Sequence, residues 1–97
     1  MATKKENETP ESQRLVVERV QTGIRLEKRM LKVLKGLAEY LDMSVGDLLE
    51  GIVLHAFENK TPFNPEILQR IAQLKAVYSM DYGSEMSHRL TEQPVEE

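Results

Sequence analysis

Arg19, Gln21, Gly23 and Arg25 hold alternate positions of the stretch RVQTGIRL, residues 19–26, and Val20, Thr22, Ile24 and Leu26 hold the positions between them. A strand sends alternate side chains to opposite faces. As a strand, this stretch would show one apolar face and one face bearing two guanidinium groups and a carboxamide. Those groups donate hydrogen bonds and carry charge, so their chemistry is recognition of a polar or charged partner. The residue types that transform substrates are not gathered anywhere. There is no cysteine, His55 and His88 lie far apart, and the carboxylates are spread along helix faces. No Gly-rich phosphate loop, nucleophile elbow or paired-histidine metal motif is present. The expectation is a protein that is not an enzyme and takes no metal or cofactor.

The net charge of −3 hides a pattern. From Arg19 to Lys35 there are six basic residues (Arg19, Arg25, Lys28, Arg29, Lys32, Lys35) against Glu27 alone, whereas residues 61–97 carry three basic residues and six acids. A charged partner responds to the local field rather than to the total. At 97 residues the chain is one small domain, and such chains bury a limited fraction of their surface. Without disulfides or metals, oligomerisation is the remaining way to complete a core. The first 13 residues lack the apolar run of a secretory signal. No apolar stretch approaches the roughly 20 residues that span a bilayer. A soluble, cytoplasmic protein with no membrane partner is therefore expected.

Helical spacing and caps place three helices. Over residues 28–42, Met30, Leu34, Leu37, Ala38 and Leu41 form a stripe widened by Leu31 and Val33, with Lys28, Lys32, Lys35 and Glu39 opposite. Gly36 costs this helix about 1 kcal/mol relative to alanine. Ser44 is a good N-cap, with Asp47 three residues on. It opens a helix over residues 45–58 with Val45, Leu48, Leu49, Ile52, Val53, Ala56 and Phe57 as an apolar stripe. That helix is too apolar for one neighbour to cover, which suggests burial between two copies. Asn64 and Pro65 open a third helix to Tyr78. Residues 1–18 are expected as a flexible arm, with Thr9–Pro10 as a possible start of a short helix through Val17. Residues 79–97 are expected as a flexible acidic tail.

One strand followed by two helices across a tight break resembles the ribbon-helix-helix family of DNA-binding proteins, of the Arc and methionine-repressor type. The match is carried by VQTGIRL, EKRMLKVLKGLAEYLDM and SVGDLLEGIVLHAF, under half of the chain. The resemblance implies a mainly α fold with one N-terminal strand, which pairs with its copy in an intertwined dimer. Residues 19–60 would be the core and 61–78 an additional helix. It implies that an antiparallel ribbon enters the DNA major groove. Base contacts then fall to Gln21, Gly23 and Arg25, with Arg19 just outside. Gly23 departs from the pattern, because that position usually carries a side chain. Phosphate contacts fall to Ser44, Val45 and Gly46, where free N–H groups and the helix dipole favour an anion in any case. Lys28 and Arg29 are additional phosphate candidates. The dimer core would comprise Ile24, Leu26, Leu34, Leu48, Leu49, Ile52, Val53 and Phe57.

The function so implied is a sequence-specific DNA-binding homodimer, a transcriptional repressor, capable of higher assembly on double-stranded DNA. Two alternatives remain open. An antitoxin would use residues 61–97 to bind a toxin partner. A dimeric interaction module would keep the architecture without binding DNA. Bland readings stand beside these. Ser44 caps a helix with or without phosphate, the lysines are an ordinary solvated face, His55 is a packed or surface residue, and Tyr40, Tyr78 and Tyr82 are packing groups.

Overall fold

The computed structural model describes residues 14–93. Three helices follow one another: α1 (Lys28–Leu41), α2 (Val45–Phe57) and α3 (Pro65–Val77), with a short 3-10 turn at Ser84–Met86. Each helix begins at the expected residue and stops one residue earlier than expected. The caps are local and therefore readable: Asp47 N–H donates to Ser44 Oγ at 3.0 Å and Ile67 N–H to Asn64 Oδ1 at 2.8 Å. The start of α1 is different. Glu27 is its N-cap, taking the Met30 N–H at 3.2 Å, although glutamate is not among the favoured capping residues.

The break between α1 and α2 is made by Asp42, whose backbone is left-handed at φ 59° and ψ 49°. Its N–H reaches Glu39 O at 3.1 Å, and Met43 N–H reaches back to Ala38 O at 3.0 Å. Glycine is the residue such a helix end prefers, because a Cβ strains the left-handed region. Asp42→Gly is expected to stabilise the chain by about 0.5 kcal/mol, net of the added freedom of the unfolded state. Thermal unfolding would then move up by a few degrees, and a lower midpoint would contradict the turn as described.

α1 packs against both α2 and α3 and is the centre of the molecule. Leu37 and Ala38 of α1 and Leu48 of α2 form the buried cluster. Leu34, Leu41, Ile52, Phe63, Ile71 and Leu74 are among the half-buried residues around it. Gly36 finds its reason here. A Cβ on it would lie 2.9 Å from Leu74 Cδ2, so the glycine that weakens α1 also lets α3 approach. The core is small. Among the described residues the buried hydrophobics are Val33, Leu37, Ala38 and Leu48.

The expected strand is not there. Among the described residues there is no strand, and residues 14–27 have no regular secondary structure. The mainly helical part of the expectation holds, and the ribbon-helix-helix architecture with its β-strand does not. The physical reason lies in what alternation reports. It marks two unlike sets of side chains, but a strand exists only where a second backbone accepts its hydrogen bonds. Among the described residues no such partner runs beside residues 19–26. Neither set is covered: Val20 is 77% exposed and Ile24 67%, and Arg19, Gln21, Gly23 and Arg25 are exposed as well.

The short helix considered through Val17 is absent over residues 14–17, and the rest of it, with the first 13 residues, lies outside the described set. Of the segment expected as a tail, residues 79–93 return toward α1 through contacts described below, and the last four residues lie outside the described set.

Candidate nucleic-acid interface

The four residues assigned to bases are all exposed. Arg19 makes a two-pronged ion pair with Glu50 on α2, Nε to Oε2 and Nη2 to Oε1, both at 2.8 Å. The hydrogen bonds and the opposite charge raise the Arg19 pKa and lower that of Glu50. Arg25 pairs with Glu92. Around Gly23 there is open space, with nothing within 4 Å of where a Cβ would sit. Gln21 stands in solvent. Both arginines thus meet carboxylates of their own chain, across solvent-exposed pairs that hold side chains loosely.

The phosphate candidates divide. Lys28 is exposed, as are Lys32 and Lys35 further along α1, with Lys32 Nζ 5.7 Å from the Tyr78 ring centroid. Arg29 is committed elsewhere. Its guanidinium donates to Glu27 Oε2 at 3.0 Å, Ser79 O at 3.1 Å and Asp81 Oδ1 at 3.3 Å, and lies 5.4 Å from the Tyr82 ring centroid. At the start of α2, the Ser44 hydroxyl already accepts from Asp47. Val45 and Gly46 supply the N–H groups that a helix start leaves without an internal acceptor. The Asp47 carboxylate in that first turn opposes an incoming anion. Of the residues assigned to a dimer core, Leu48 is buried and Leu34, Leu49 and Ile52 are half-buried, whereas Ile24, Leu26, Val53 and Phe57 are exposed.

Glu27 and Tyr82, the latter expected only as a packing group, form a polar cluster with Arg29. Tyr82 O–H donates to Glu27 Oε1 at 2.5 Å, with Tyr82 and Glu27 55 positions apart. That hydrogen bond, with those from Arg29 and Met30 N–H, holds the Glu27 carboxyl down to about 2, against the opposing effect of burial. Burial, then the Glu27 carboxylate, pushes Tyr82 up to about 12. The cluster clips residues 79–82 to the start of α1.

Glu27 sits below its ordinary value of 4.5, so its contribution is complete above that value and is lost as pH falls toward about 2. Tyr82 sits above its ordinary 10.0, so its contribution is complete below that value and lost as pH rises through about 12. In Tyr82→Phe the Glu27 carboxyl is expected to titrate closer to 4.5. An NMR titration of that carboxyl checks this, and an unchanged midpoint would remove Tyr82 as the cause.

The remaining aromatic and imidazole groups read as packing. The Arg70 guanidinium lies 4.2 Å from the Tyr40 ring centroid, and His55 Nδ1 is 2.7 Å from Gly51 O within α2. Among the described residues no helix is long and apolar enough to cross a membrane. No protein-family model, curated protein or solved structure matches this chain.

Proposed function

We propose that the chain binds duplex DNA as a homodimer and acts as a transcriptional repressor, with Arg19, Gln21 and Arg25 contacting base edges and Lys28, Lys32 and Lys35 contacting phosphate. The observation that carries this reading is the exposure of all six side chains along one continuous basic stretch. The pairing of Arg19 with Glu50 and of Arg25 with Glu92 does not oppose it strongly, since exposed ion pairs are worth about 0–1 kcal/mol. A guanine offering O6 and N7 to Arg25 can displace such a partner. Gly23, with open space around it, lets a base or backbone come close. The N–H groups of Val45 and Gly46 add a second anchor for phosphate, and Arg29 does not contribute while Glu27, Ser79 and Asp81 hold it.

The reading is tested by the salt dependence of binding to a duplex. Affinity for DNA falls with salt in proportion to the number of phosphates neutralised. Lys28→Ala should weaken all sequences alike and reduce the slope of log affinity against log salt by about 1. A wild-type slope near zero would sink the DNA reading. It would favour the dimeric interaction module, for which the neutralised Arg19 and Arg25 are the specific argument.

A further inference from the structure

A groove of about 620 Å³ opens beside the small core. Its lining includes Val33 and Leu37 of α1, Phe63 and Ile71, and Met80 and Met86 of the returning segment. Liquid water would fill it with about twenty molecules, and a wall of thioethers and aliphatic groups gives them few hydrogen bonds. The volume lies in the range of built binding sites. At the same time the arm ahead of α1 carries an apolar set with no cover: Leu15 is 83% exposed and Val16 96%, and Val20 and Ile24 are little better. The chain therefore holds an unfilled apolar groove and an unburied apolar arm, and the arm does not lie in its own groove.

We infer that the groove is filled by the arm of a second copy of this chain, exchanged reciprocally. Charge near the groove's rim supports that choice. The returning segment carries Asp81, Glu85 and Glu92 in sequence beside groove-lining Tyr82, Ser84 and Leu90, and Arg25 of the arm already pairs with Glu92 within one chain. Size supports it as well. Residues 14–26 and the fifteen residues lining the groove together fall within the roughly 20–30 residues a side of a stable interface. Exchange of an identical element is a common route to two-fold dimers. The inference does not rest on the DNA reading, since it is tested without DNA.

The absence of cysteine makes the test direct. A Val16→Cys chain is mixed with a longer, tagged Ser87→Cys chain and treated with a short bismaleimide. The expected product is a covalent dimer of one short and one long chain. Val20→Asp, placed on the arm of the Val16→Cys chain, should suppress it about 100-fold in yield at limiting concentration while leaving the helical circular dichroism unchanged, because the arm is outside the core. Chains that stay separate would overturn the exchange. So would a dimer, seen by light scattering, whose cross-link is absent or indifferent to Val20→Asp.

Discussion

Leu37→Ala is expected to cost about 2–5 kcal/mol of unfolding free energy, the range for deleting a buried leucine side chain. Leu37 is 2% exposed and lies with Ala38 and Leu48 at the centre of the buried cluster. α1 is the helix that packs against both others, so a cavity at Leu37 loosens both contacts together. Small domains have only about 5–15 kcal/mol in total. The variant should therefore be partly unfolded at room temperature or unfold at much lower urea. Phe57→Ala supplies the contrast. Phe57 is 80% exposed, so at high dilution its loss should lie within about 0.5 kcal/mol. Urea unfolding followed by circular dichroism separates the two. A loss below about 1 kcal/mol for Leu37→Ala would mean that the cluster is not the core of this chain.

The second large effect concerns recognition. Arg25→Ala should lower affinity for the preferred duplex by about 1–3 kcal/mol, which is roughly 5- to 150-fold. Affinity for unrelated duplexes should fall much less, so base preference relaxes. Loss of one phosphate contact would instead weaken every sequence alike. Glu92→Gln is the control in the opposite direction. It removes the carboxylate that meets Arg25 in the free chain and should leave affinity equal or slightly higher. Fluorescence anisotropy on matched and unmatched duplexes reads both, and equal losses on both for Arg25→Ala would take away its base-reading role.

The parts of this fold that were legible are those fixed within a few residues. Ser44 with Asp47, and Asn64 with Pro65, announce helices through bonds that span three positions. The Leu34, Leu37, Ala38 and Leu41 spacing identifies the inner face of α1. The strand is not legible because alternation in residues 19–26 describes side chains, whereas pairing depends on a backbone elsewhere. Long-range polar links gave no local trace. Arg19 meets Glu50 31 positions away, Arg25 meets Glu92 at 67, and Tyr82 meets Glu27 at 55. Arg29, a phosphate candidate by position, bonds Ser79 O and Asp81 from 50 and 52 positions away. Gly36 was legible as a weakness of α1, but its use became visible only with Leu74 beside it.

The central claim is that this chain reads DNA sequence. Its most direct test is repeated selection of wild-type protein on a library of random duplexes at about 100 mM salt, a condition that weakens non-specific phosphate binding. The account predicts enrichment of one two-fold-symmetric motif containing guanine, with Arg25→Ala failing to enrich it. Recovery of no motif after repeated rounds, together with no duplex binding at low salt, would contradict it.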